Sequence, residues 1–216
     1  MKEQIEEIRR DIKDLAAGKV AIVAASKMQP VEKMNELLQY GVNTVGENKV
    51  QELLAKYTPD TKLEWQFIGT LQTNKVKYIA DKVSLIQSLD KISLVKEIQK
   101  QCQKIGKIMP VLIEVNIGRE EQKSGILEEE LSDFIAEIKK YSNIKISGLM
   151  TVMPIGASDE LFRRMNELFL KCKRDYTDIE WKWLSMGMSA DYKIALKNGA
   201  NMIRIGEKIF GKRKYS

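Results

Sequence analysis

Apolar residues recur along this chain in eight short, near-continuous runs: Val20 to Ser26, Val42 to Glu47, Trp65 to Gly69, Ser84 to Leu89, Val111 to Ile117, Ile144 to Val152, Trp181 to Met186 and Met202 to Gly206. Runs with so little polar alternation fit strands buried on both faces. Between them the apolar spacing changes to three and four, the period of a helix with one buried face. Val31, Met34, Leu37 and Leu38 form one such face, with Pro30 suited to the first helical position and Gly41 to the exit. Asp90 suits the cap of a helix that carries Leu94, Val95, Ile98 and Cys102 and stops at Gly106. Leu131, Phe134, Ile135 and Ile138 repeat the pattern, and Ser158 opens a longer helix through Leu161, Met165, Leu168 and Cys172. A last helix is expected from Ser189 to Gly199, with shorter ones around Val50, Leu53 and Tyr57 and around Val76 and Ile79. Ahead of the first strand, Ile5, Ile8, Ile12 and Leu15 share one helical face.

Strand and helix thus alternate eight times, which implies a parallel sheet with right-handed crossovers. Eight units in 216 residues match a closed barrel better than an open doubly wound sheet, and the first strand lacks the glycine fingerprint of a dinucleotide fold. The expected class is α/β, a single-domain (β/α)8 TIM barrel over residues 1–216. The charged amphipathic N-terminus is neither a signal peptide nor a membrane span, so a cytoplasmic protein is expected. Cys102 and Cys172 are read as reduced, packed thiols. The net charge of +6 would attract anions, yet only Lys212-Arg213-Lys214 is a dense basic cluster and no nucleic-acid signature accompanies it. The chain has no histidine, which excludes His-dependent triads, His-ligated metals and imidazole bases.

In a barrel the loops after the strands make the active face. Lys27 stands at the exit of the first run, where apolar surroundings would favour the free amine, a nucleophile toward carbonyl groups; a solvated loop lysine is the plainer alternative. Ser185-Met186-Gly187-Met188-Ser189 joins the seventh run to a helix, and small residues with hydroxyls there suit either an anion site or a simple cap and turn. Gly206 and Glu207 offer backbone amides to the same face, and Arg204 is a cation within a strand that needs a partner. An amine on strand one, a phosphate cradle after strands seven and eight and a polar arm for a heteroaromatic ring together meet the requirements of pyridoxal 5′-phosphate (PLP).

The sequence also resembles the pyridoxal-phosphate homeostasis protein family, single-domain proteins similar to the barrel domain of alanine racemase. The matching segments are Ala25-Ser26-Lys27, Gly46-Glu47-Asn48, Phe67-Ile68-Gly69, Leu71 to Lys75, Val115-Asn116-Ile117, Lys123-Ser124-Gly125, Gly148 to Thr151, Leu184 to Ser189, Arg204-Ile205-Gly206 and Ile209-Phe210-Gly211. The resemblance implies a Schiff base on Lys27, a phosphate surrounded by Ser185, Ser189, Gly206 and Glu207, Arg204 near the pyridine nitrogen, and Asn48 near the ring or its hydroxyl. Many members carry a hydroxyl residue where this chain has Glu207, so its backbone amide is the expected contact. Some carry a histidine where this chain has Thr70 and Gln87.

The resemblance further implies a carrier that binds, buffers and delivers PLP in vitamin B6 homeostasis. Recipients would be apo forms of PLP-dependent enzymes; no catalytic residue, no metal, no specific nucleic acid, no membrane and a monomer are expected. The alternative is a weak PLP-dependent amino-acid racemase, disfavoured because the racemases supply a second base, a tyrosine, from a further domain and because an arginine at the ring nitrogen weakens the electron sink. A basic interaction protein is the third reading, separable because it would not turn yellow with the cofactor.

Overall fold

The computed structural model describes residues 1–211; the basic cluster Lys212-Arg213-Lys214 lies outside the described residues. Eight parallel strands close into a barrel in sequence order: β1 (Ala21–Ala25), β2 (Thr44–Glu47), β3 (Glu64–Phe67), β4 (Leu85–Leu89), β5 (Met109–Glu114), β6 (Ile144–Met150), β7 (Trp183–Ser185) and β8 (Met202–Ile205). β8 pairs back onto β1, with Ala24 opposite Ile205. The helices are α1 (Lys2–Leu15), α2 (Val31–Glu36), α3 (Val50–Lys56), α4 (Val76–Ile79), α5 (Ile92–Lys104), α6 (Leu131–Ile138), α7 (Asp159–Asp175), α8 (Tyr192–Lys197) and α9 (Glu207–Phe210). Among the described residues no helix is long and apolar enough to cross a membrane. All eight apolar runs are strands, and the barrel expected from their alternation is the observed fold.

Strand alternation divides the core in two. Val23, Ile68, Leu85, Leu112, Met150 and Met202 pack together inside the barrel, whereas Ala24, Val45, Ile86, Ile113 and Leu149 belong to the larger cluster shared with the helices. In β6 the alternation is re-phased by a bulge: Val111 pairs with Ile146 but Leu112 pairs with Gly148, and this extra residue turns Met150 inward. Gly148 passes so close to β7 that a Cβ would lie 1.9 Å from the Trp183 carbonyl oxygen.

Three helix starts differ from the sequence pattern. Pro30 is the residue before α2, extended at ψ 155°, and the helix passes into a 3-10 turn over Leu37–Tyr40 before Gly41. Asp90 does not cap α5; Lys91 holds that position, and Asp90 lies one residue earlier, half-buried at the end of β4. The last long helix starts at Tyr192, not Ser189, because Gly187 at φ +96° and a turn closed by the Met188 N–H donating to Asp191 Oδ1 (2.6 Å) come first. The two cysteines are free and buried on α5 and α7.

Candidate functional site

Lys27, Asn48, Ser185, Ser189, Arg204, Gly206 and Glu207 all lie at or beyond the C-terminal ends of four adjacent strands, β7, β8, β1 and β2. Ala21, Val23 and Ala25 face the barrel interior, and Lys27 follows two residues later, in the turn after β1. On one flank Gly206 follows β8 so closely that a Cβ there would meet the Ala25 carbonyl oxygen at 3.0 Å. On the other flank Asn48 follows β2, and the backbone of Gly69 packs on it so tightly that a Cβ would stand 2.4 Å from the Asn48 carbonyl oxygen. Lys27 and Asn48 are half-buried, and among the described residues no hydrogen bond or ion pair engages either side chain.

Arg204 is fully inside the protein, 3% exposed. Its Nη1 donates to the Ser185 carbonyl (3.1 Å) and Oγ (2.7 Å), and its Nη2 donates to the Thr151 carbonyl (2.8 Å). The Ser185 hydroxyl in turn donates to Gln87 Oε1 (2.7 Å), and Gln87 Nε2 donates to Gln66 Oε1 (2.6 Å). A polar chain therefore runs through the barrel and ends on the guanidinium. Burial brings the Arg204 pKa down to about 10, with Glu114 and Asp191 opposing the fall, so it stays cationic at neutral pH. The partner that a buried arginine requires is a set of neutral oxygens, and the hydroxyl of Ser185 is committed to it.

Ser189 is half-buried and Glu207 exposed. The Lys208 N–H donates to Ser189 Oγ at 3.2 Å, which ties the loop after β7 to the first turn of α9. The Arg204 N–H donates to the Gly187 carbonyl (3.0 Å), so the same loop is held against β8 from both ends.

Two groups of residues were not singled out by the sequence pattern. Glu114, inward on β5 two residues after Leu112, is 7% exposed; burial, and then the nearby Asp90 carboxylate, raise its pKa to about 7 against the pull of Arg204. Asp90 is raised as well, chiefly by burial. A charged residue closing an otherwise apolar strand was the legible sign. The second group is a cluster of ions behind the Lys27 turn. Lys56 Nζ on α3 donates to Glu47 Oε1 (2.6 Å), to the Ser26 carbonyl (2.9 Å) and to Glu52 Oε2 (3.3 Å). Ser26 Oγ donates to Glu47 Oε1 (2.8 Å), and the Met28 N–H donates to Glu52 Oε2 (2.8 Å). Thr70 and Gln87 bond to Ser124 and to the polar chain, respectively.

The sequence model of the family described as "Alanine racemase, N-terminal domain" matches residues 2–214. A protein of Aquifex aeolicus named "Pyridoxal phosphate homeostasis protein" is 44% identical over 200 residues, covering 90% of this chain and 87% of its own. One of the same name from Pasteurella multocida is 36% identical, covering 91% and 88%. PipY of Synechococcus elongatus, solved without PLP and with PLP bound, superimposes with TM-scores of 0.87 and 0.86 at 26% and 25% identity, each covering 97% of this chain and 99% of the other.

Proposed function

Because this chain belongs to the pyridoxal phosphate homeostasis protein family, within the family of alanine racemase N-terminal domains, we propose that it binds pyridoxal 5′-phosphate at the β7–β8–β1–β2 mouth and serves the homeostasis of that cofactor. When bound, the cofactor supplies an aldehyde that condenses with a primary amine, with loss of water. Lys27 is the amine we assign. The supporting observation is its position: in the turn two residues beyond Ala25, whose carbonyl Gly206 closely approaches, with its side chain unengaged by the described residues.

The remaining residues fit the other parts of the cofactor. Glycine at 206 and at 69 lets the chain after β8 and after β3 close directly onto the backbone of Ala25 and of Asn48, where a Cβ would clash, and so draws the strand ends together around the site. Ser189 and the amides of Gly206 and Glu207 would hold the phosphate; the exposed carboxylate of Glu207 suits a role for its amide alone. Arg204 would face the ring nitrogen and keep it unprotonated, because a buried cation disfavours a second one beside it. Ser185 would act through Arg204, fixing its guanidinium, and Asn48 would contact the ring or its hydroxyl. In this reading the protein is a cytoplasmic monomer that stores the cofactor and passes it to apo-enzymes, with no substantial turnover of its own.

Borohydride reduction of the loaded protein followed by peptide mass spectrometry tests the assignment. A phosphopyridoxyl group on Lys27 is expected, together with loss of visible absorbance in Lys27→Ala. Label confined to other lysines would overturn it.

A further inference from the structure

The ion cluster behind β1 and β2 grips the backbone on both sides of Lys27, and nothing in the proposed binding of the cofactor requires it. On the N-terminal side the Ser26 carbonyl accepts from Lys56 Nζ at 2.9 Å and the Ser26 hydroxyl donates to Glu47 at 2.8 Å. On the C-terminal side the Met28 N–H donates to Glu52 at 2.8 Å. Met28 sits at φ +61°, a conformation that costs a non-glycine residue on the order of 1 kcal/mol or more and needs external support. The ions are well sheltered: the side chains of Glu47, Lys56 and Glu52 are 0%, 12% and 23% exposed. Two carboxylates share one ammonium, and Glu47 Oε2 is buried without a partner. Leaving a buried carboxylate oxygen unpaired is expensive. Burial would lift the Glu52 carboxyl, but the Met28 amide and Lys56 together hold it below the usual carboxylate range.

Resting on the assignment of Lys27 above, we propose that Lys56, with Glu47 and Glu52, is a clamp that positions the Lys27 amine for carbon–nitrogen bond formation. Glu47 faces outward from β2, as Val45 does, while Gly46 faces the interior against Val23 and Ile68. The clamp therefore lies on the helix side of the barrel wall and touches the reacting lysine only through its backbone neighbours. In the step it serves, the neutral Lys27 amine bonds to the aldehyde carbon, and the aldehyde oxygen leaves as water with two protons taken from the nitrogen. No redox partner is needed. The clamp supplies orientation: a turn fixed at Ser26 and at Met28 leaves the side chain of Lys27 as the moving part, which reduces the entropy lost on reaching the aldehyde. Lys56, Glu47 and Glu52 are positioning residues in this account, with no contact to the cofactor.

Lys56→Met alone strands the buried Glu47 charge and invites unfolding, so the test uses Glu52→Gln and the charge-balanced pair Glu47→Gln with Lys56→Met, with Lys56→Arg as the conservative control. Each variant is mixed with pyridoxal 5′-phosphate, quenched with borohydride at intervals, and scored for label on Lys27. Affinity for pyridoxamine 5′-phosphate, which has the ring and phosphate but no aldehyde, and the thermal midpoint are measured alongside. The clamp predicts labelling slowed by about tenfold or more in the double variant and by less in Glu52→Gln. Pyridoxamine 5′-phosphate affinity should stay within about twofold, and Lys56→Arg should recover most of the rate. Unchanged labelling in Glu52→Gln and in the double variant, or equal losses for both ligands, would overturn the clamp. Wild-type protein that takes no label on Lys27 would instead remove the reading on which the clamp rests.

Discussion

Glu114 is the residue whose ionisation the fold works against most visibly. Its folded pKa of about 7 lies above the ordinary carboxyl value of 4.5, so the native state binds this proton more tightly than the unfolded chain. Its contribution to stability is present below pH 4.5 and is lost as pH rises through 7, a difference of about 3 kcal/mol from the shift alone. Glu114→Gln keeps the shape of the protonated acid. It should therefore leave stability at pH 4 nearly unchanged and raise it by about 2–3 kcal/mol at pH 8, as read from urea midpoints across that range. Loss of stability at pH 8 would show that the Glu114 charge is needed to balance Arg204. The sequence exposed Arg204 as a buried cation but not its surroundings: the oxygens of Thr151 and Ser185 that hold it come from β7 and from the residue after β6, and only the closed barrel brings them together.

Among the elements, β6 and the loop after β7 carry the sharpest consequences. Gly148→Ala would drive a Cβ into the Trp183 carbonyl, where backbone on both sides leaves nothing to yield. A loss of roughly 3 kcal/mol or more is expected in denaturant unfolding, with the β6–β7 pairing the first to open. Ser189→Ala removes a hydroxyl from the proposed phosphate site; the affinity for PLP should fall roughly tenfold, the weight of one hydrogen bond to a charged group, while pyridoxal lacking the phosphate should lose little. Equal losses would put the phosphate elsewhere. All eight strands were legible because each buries both faces and so announces itself as a run of apolar residues. The helix starts were less so. Asp90 has the composition of a cap, but the helix begins one residue later, from Lys91. Ser189 likewise has the composition of a helix start, and its oxygen instead accepts from Lys208, across from the end of β8. The ions around Lys27 were invisible for the same reason, since Lys56 reads as an ordinary helix-end lysine until α3 folds back over the end of β1.

For the whole molecule the open question is whether the site only holds its cofactor. In the proposed binding mode Arg204 would keep the ring a poor electron sink, and an amino acid bound there would retain its α-proton. Loaded protein incubated in deuterium oxide with alanine or serine should show little exchange at Cα, and should restore activity to an added apo-enzyme over time. Sustained racemisation at about 1 per second or faster would make it an enzyme. The barrel places this site across the junction of its first and last strands, where Ala24 meets Ile205 and Ala25 meets Gly206. A nascent chain emerging from the ribosome therefore carries Lys27 from the outset but has no complete pocket until the eighth strand has been made and docked. In the proposed binding mode, occupancy by the cofactor is a readout of finished synthesis, and a ligand held from both sides of the junction would favour the closed ring over any open form.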